Sequence, residues 1–199
     1  AAIKQAGMEV GVWTVNDRET MRRLLDMGVE RIYTDFPATL LELKASGASR
    51  RHQPQTDWIS TGVLPAPEAN QAAAADEKYV YAIGSAQIAK YDRATGRRVA
   101  VSTGEAKHLN SGFVWQGRVY CAHSNFPHTP ELSQIMVLDP ATMKISTFKD
   151  FGSFGGSLTW AVRQGDAWWC NFACYGDDNA QTFLVKFDDQ WRELGRWTY

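Results

Sequence analysis

Two groups of side chains in this sequence could bind a ligand or do chemistry. In the larger group, Asn70, Asn110 and Thr159 take equivalent places in an internal repeat, each near the start of a short β-type run. His108 and Ser157 precede two of them, and Gln71, Ser111 and Trp160 follow. A ring of amides and hydroxyls can hold a small polar ligand, or a cation through its oxygen atoms. The competing reading is that these groups satisfy backbone and ordered water. His123 and Asn125 close another run, just before the insert Phe126-Pro127-His128-Thr129-Pro130. Inserted loops are where function is commonly carried. His108, His123 and His128 offer three imidazoles to a zinc ion, but their spacing matches no ligand pattern, and histidines capping turns are the default. The smaller group is Trp13, Asn16 and Asp35, where Asn16 and Asp35 each open a helix signal and can cap free amides.

These side chains need elements to place them. Gly11-Val12-Trp13-Thr14-Val15-Asn16 is a β-branched and aromatic run that leads directly into a helix signal. Asn16 with Glu19 has capping-box spacing, Met21, Leu24 and Leu25 form an apolar stripe, and Gly28 supplies the stop. Arg31-Ile32-Tyr33-Thr34-Asp35-Phe36 repeats the pattern, with Pro37 in the first helical turn, then Leu40, Leu41 and Lys44, and Gly47 as the stop. Strand, helix, strand and helix with tight connections imply parallel strands joined by crossovers. Residues 46–57 are small, polar and charged without periodicity, and read as a linker.

From residue 58 onward the character is all-β. Asp92, Asp139 and Asp188 each end an apolar run, at separations of 47 and 49 residues. Upstream of each lies a second echo: residues 78–83, 118–123 and 167–172. A period near ~45 residues with four strands per unit is that of a β-propeller blade. Three four-stranded antiparallel blades are expected, at roughly 70–103, 108–150 and 156–199. Trp58 to Val63 reads as an outer strand belonging to a closing blade. Closed propellers have about four to eight blades, so three imply an incomplete ring. Trp168 and Trp169 alternate, so one faces each side of its blade, and packing between blades is the reading for most tryptophans.

Val12-Trp13-Thr14-Val15-Asn16 and Leu24-Leu25-Asp26-Met27-Gly28-Val29-Glu30-Arg31-Ile32-Tyr33-Thr34-Asp35-Phe36-Pro37 closely resemble the C-terminal end of glycerophosphodiester phosphodiesterases. The resemblance implies that residues 1–45 are the last two βα units of a (β/α)8 TIM barrel, carrying its seventh and eighth strands. Glu30 stands where the family usually has Asp. In such barrels the site lies at the C-terminal ends of the strands. Trp13 would then form an apolar wall beside the glycerol or the leaving alcohol, and Asn16 and Asp35 would brace the loops. The family hydrolyses a glycerophosphodiester with a histidine pair and a divalent cation, Mg2+ or Ca2+, held by Glu and Asp. Its His-Arg-Gly and Glu-x-Asp motifs are missing here, and all four histidines lie outside residues 1–45. The resemblance therefore implies an inactive piece of an active parent. Residues 110–112, 121–125 and 157–160 also resemble blades of an uncharacterised bacterial propeller family, which bears on fold alone.

A formal net charge of −1 and no basic stripe argue against nucleic acid as a partner. No apolar run is long enough to span a bilayer. Cys121, Cys170 and Cys174 are odd in number and lack metal-type pairing, so they read as buried free thiols rather than a disulfide framework. The chain opens with Ala1 in what reads as the helix before a barrel strand, and is expected to be an internal piece of a longer protein. A glycerophosphodiester for the parent, and a small polar ligand or a protein for the propeller, are the partners these readings imply.

Overall fold

The computed structural model describes residues 11–29, 31–45 and 62–198. The chain divides into two compact units between Thr61 and Gly62. The expected linker at 46–57, the Gly47 stop and residues 58–61 of the expected outer strand lie outside the described residues. Val63, from the end of that segment, is in no strand and is 91% exposed.

In the first unit, β1 (Gly11–Val12) and β2 (Arg31–Ile32) pair in parallel, Gly11 opposite Arg31 and Val12 opposite Ile32. Helix α1 (Arg18–Asp26) connects them and α2 (Pro37–Ala45) follows. The end of α1 is set by Gly28, whose φ of 74° only glycine adopts freely. The Gly28 amide donates to the Leu25 carbonyl at 2.9 Å and the Val29 amide to the Leu24 carbonyl at 3.0 Å, a paired closure of the last turn. Its start differs from expectation. Asp17, not Asn16, is the cap, and its carboxylate accepts from the Thr20 amide at 2.7 Å. Val15, Met21 and Leu43 are buried at the centre, with Val12, Leu24, Leu25, Ile32 and Leu40 packed around them. The inward pair on α2 is thus Leu40 and Leu43, one turn apart, while Leu41 is 65% exposed.

The second unit consists of three four-stranded antiparallel sheets, each a meander in chain order. The first holds β3 (Ala72–Ala75), β4 (Tyr79–Ile83), β5 (Ile88–Asp92) and β6 (Arg98–Val101). The second holds β7 (His108–Trp115), β8 (Arg118–Ser124), β9 (Ser133–Asp139) and β10 (Lys144–Gly152). The third holds β11 (Ser157–Gln164), β12 (Ala167–Ala173), β13 (Phe183–Phe187) and β14 (Glu193–Thr198). One 3-10 helix, Gly176–Gln181, interrupts the third sheet's middle loop. The first strand of each sheet lies at its inner edge, and β7 is in contact with both β3 and β11. The arrangement is compatible with propeller blades.

Alternation along the strands divides each sheet between two neighbours. Tyr81, Ile83 and Ile88 of the first sheet pack on Leu109, Val119, Cys121 and Leu138 of the second. The other face of the second sheet, through Tyr120, Ala122, Ile135 and Val137, packs on Leu158, Trp168, Cys170 and Phe172 of the third. Trp168 therefore faces the second sheet. Trp169, on the opposite side, stacks on Trp197 at 5.4 Å between ring centroids. The outer ends are also tied together. Past β6, Thr103 donates its amide to Met143 and accepts from the Ile145 amide, both at 2.8 Å, so the first sheet's exit adds onto the second sheet's outer strand.

The repeated aspartates make the third-to-fourth strand turns. Asp92 accepts from the Thr95 amide at 2.8 Å, Asp139 from the Ala141 amide at 2.9 Å, and Asp188 from the Gln190 and Arg192 amides at 2.9 Å. Each turn then needs a left-handed residue, supplied by Gly96, Met143 and Trp191 with φ of 67°, 56° and 61°.

Candidate functional site

At the C-terminal ends of β1 and β2 the chain continues in register beyond the strands. The Tyr33 amide donates to the Val12 carbonyl and the Val15 amide to the Tyr33 carbonyl, both at 2.9 Å. This brings Asn16 opposite Thr34 and Asp35. The Asn16 amide group donates to the Asp35 carboxylate at 2.8 Å, and its oxygen accepts from the Asp35 amide at 3.0 Å and the Thr34 hydroxyl at 3.3 Å. The Thr34 hydroxyl accepts in turn from the Phe36 amide at 2.9 Å. Because Asn16 is committed to this lock, its neighbour Asp17 is the side chain left to cap α1. Trp13 stands edge-on to Tyr33, with centroids 6.3 Å apart and planes at 87°. Trp13 is 59% exposed, and Tyr33 and Phe36 are exposed beside it. The result is a set of exposed aromatic rings beside a fixed polar bridge. Tyr33 and Phe36 were missed as candidates. Their signal was an aromatic on either side of the Thr34-Asp35 pair.

The candidates in the sheets are placed differently. The expected equivalence of Asn70 with Asn110 and Thr159 fails. Asn110 and Ser111 together face Ala122, and Thr159 and Trp160 together face Asn171, each an extra residue bulged into the inner strand. In the first sheet the matching residue is Ile83, which pairs with Ala72 and accepts from the Gln71 amide at 3.0 Å, so Gln71 rather than Asn70 takes that place. Asn70 precedes β3 and lines an open depression with Glu68, Gly84 and Ser85. The Asn110 amide donates across to the Leu158 carbonyl at 2.9 Å, so it joins the second sheet to the third. The Thr159 hydroxyl accepts from the Asn171 amide group at 2.8 Å. Asn110 and Thr159 are each engaged within the sheets, while the neighbouring Ser111 and Ser157 hydroxyls are buried without a hydrogen-bond partner.

His108 packs its ring against Phe126, 5.3 Å between centroids. His123 is buried, and its Nε2 accepts from the Lys107 amide at 2.9 Å while Nδ1 has no hydrogen-bond partner. Burial lowers the pKa of this imidazole, against the opposing effect of the Gln134 side chain. Asn125 closes the insert. Its oxygen accepts from the Leu132 amide at 2.8 Å, and its amide group donates to the Pro130 carbonyl at 3.0 Å. Among the described residues no three His, Cys, Asp or Glu side chains are grouped to hold a metal ion, so the zinc triad of His108, His123 and His128 is not assembled. Burial pushes the Cys121 thiol up to about 12 and raises Cys170 too, which makes both unreactive packing groups.

Residues 1–39 match the model of the glycerophosphoryl diester phosphodiesterase family. A phosphodiesterase-related region therefore opens the chain, and the match ends before the sheets. No curated protein matches the sequence. Among solved structures, Kuenenia stuttgartiensis hydrazine synthase is similar at 14% identity and a TM-score of 0.47, over 64% of this chain and 36% of that chain. The computationally designed Ika4 protein is similar at 11% identity and a TM-score of 0.44, over 68% of this chain and 95% of that one. The chain thus spans about a third of the hydrazine synthase chain. Among the described residues no helix is long and apolar enough to cross a membrane.

Proposed function

We propose that residues 1–45 are the last two βα units of a TIM-barrel glycerophosphodiester phosphodiesterase, and that the three sheets are a binding module attached to it. The observation that carries this is the Asn16 bridge to Thr34 and Asp35, which fixes the ends of two parallel strands inside the segment that matches the family. In this reading Trp13 and Tyr33 give the alcohol part of the substrate an apolar wall, and Asn16 and Asp35 are positioning residues for the loops. The described residues do not fit a divalent cation, since no carboxylate and imidazole group is assembled and the Asp35 carboxylate is engaged by Asn16. The Mg2+ or Ca2+ and the acid–base histidines of such a reaction belong to the other barrel units of the parent.

The test compares this chain with the parent. With glycerophosphodiester and Mg2+ or Ca2+, the 199-residue chain releases no alcohol and the parent does. In the parent, Trp13→Ala raises KM about tenfold with a smaller change in kcat, as loss of a ground-state contact should. Turnover by this chain alone, or a parent without metal-dependent turnover, overturns the proposal. A parent that binds a partner through the sheets yet hydrolyses nothing would favour a second reading, in which the barrel is a degenerate scaffold.

A further inference from the structure

The loops that leave the second strand of each sheet emerge at one end of the stack, and the repeat places equivalent residues there. His108 pairs with Ser124, and Ser157 with Ala173. Two residues beyond each lie Phe126 and Tyr175, 49 positions apart, the same separation as Asp139 and Asp188. The first sheet has Gln87 at this place. The two rings approach to 5.0 Å between centroids with planes at 57°, which makes an open corner rather than a stack. The His108 ring also packs on Phe126, 5.3 Å between centroids. Phe126 is 40% and Tyr175 47% exposed, so two large apolar faces meet water side by side.

The corner is held rigid from both loops. Asn125 ties Leu132 and Pro130 together around Phe126, and the His128 amide donates back to the Asn125 carbonyl at 3.1 Å. On the other loop the Cys174 amide donates to the Thr182 hydroxyl at 3.1 Å. Carboxylates act on both loops. Beyond the effect of burial, the Glu131 carboxylate helps raise Tyr175, and Asp178 and Glu131 both help raise Cys174. Asp177 and Asp178 begin the 3-10 helix next to Tyr175. None of these groups is used by the phosphodiesterase reading, and this inference does not rest on it.

We infer that Phe126, Tyr175 and Glu131 form a binding corner for a small quaternary ammonium cation. Aromatic faces attract a diffuse, weakly hydrated cation through their quadrupoles, and methyl groups on nitrogen fill the space between two tilted rings. A carboxylate at the rim completes the match of charge, whereas a neutral apolar guest would gain nothing from it. A compact primary ammonium would keep its water and lose the advantage.

The experiment is a titration of the full chain with choline and with its neutral isostere 3,3-dimethylbutan-1-ol, followed by amide chemical shifts. Saturable shifts around residues 126 and 175 are expected with choline, about tenfold tighter than with the isostere. Tyr175→Ala weakens choline binding about fivefold, as loss of one exposed cation–aromatic contact should. Glu131→Gln weakens it about threefold and removes most of its salt dependence. Phe126→Tyr keeps the ring and keeps binding, which separates loss of the face from misfolding. Equal binding of the two guests, no saturable shift at these loops, or a response to a methyl glycoside in place of choline would each overturn the inference.

Discussion

The two units of this chain are held by different means. The described residues of the first are a parallel pair with two short helices around Val15, Met21 and Leu43, and the strand ends are fixed by side-chain hydrogen bonds of Asn16, Thr34 and Asp35. The sheets are held by faces: each of two interfaces is a continuous apolar cluster contributed by both neighbours. Polar side chains there serve turns and crossings, as Asp92 and Asn110 do. A family resemblance can live in a polar lock of a few residues. A stack of sheets needs a period, and many residues can satisfy it.

The sharpest way to break this contrast is to remove one ring from a sheet interface. Phe172 is fully buried between the second and third sheets, against Phe151, Phe154 and Phe183. Phe172→Ala should cost about 3–5 kcal/mol, and denaturant unfolding followed by tryptophan fluorescence would show the sheets lose it cooperatively. A loss below about 1 kcal/mol would mean the interface is not one packed body. In the first unit Met21, also fully buried, is the corresponding residue. Met21→Ala should cost about 2–5 kcal/mol, and with so few buried partners it should abolish protection of the α1 amides from hydrogen exchange while leaving the sheets protected. Linked loss in both units would contradict their independence.

Asn110 tests the middle of the scale. Its amide is the cross-sheet donor to the Leu158 carbonyl, so Asn110→Ala removes that bond and should cost about 1 kcal/mol, read as a shift in the midpoint. This residue also shows where the sequence ran out. The aspartate period was legible because turn chemistry forces Asp and a left-handed residue into fixed places. A bulge leaves no such mark. It puts two residues against one at Asn110 and Thr159, and in the first sheet the residue level with them is Gln71, so counting along the chain left Asn70 one place out of line. The choice of Asp17 over Asn16 as cap was illegible for a different reason. Both are capping types, and only the partner across the parallel pair, Asp35, decides which is free. Leu43 in place of Leu41 is a matter of which side of α2 meets Met21, and a nine-residue helix leaves that phase open.

The smallest expected effect separates the units by pH. Asp17 in the first unit, and Asp92, Asp139 and Asp188 in the sheets, are all held below the usual carboxylate value of 3.8, chiefly by backbone amides. A depressed carboxylate stabilises the folded state above its unfolded pKa, and the contribution is lost as pH falls through the folded value. Both units should therefore weaken together at strongly acid pH. His123 adds a step that only the sheets can show. Its pKa is lowered by burial from 6.5, so between 6.5 and the folded value the unfolded chain binds more protons than the folded one. Stability of the sheets should begin to fall as pH drops below about 6.5 and level off once the folded imidazole itself is charged. The described residues of the first unit contain no histidine, so exchange protection in α1 should stay flat across that window. His123→Gln should flatten the step in the sheets while leaving the acid limb set by Asp92, Asp139 and Asp188 in place. A step that survives the substitution would leave the burial of His123 no share in the pH response.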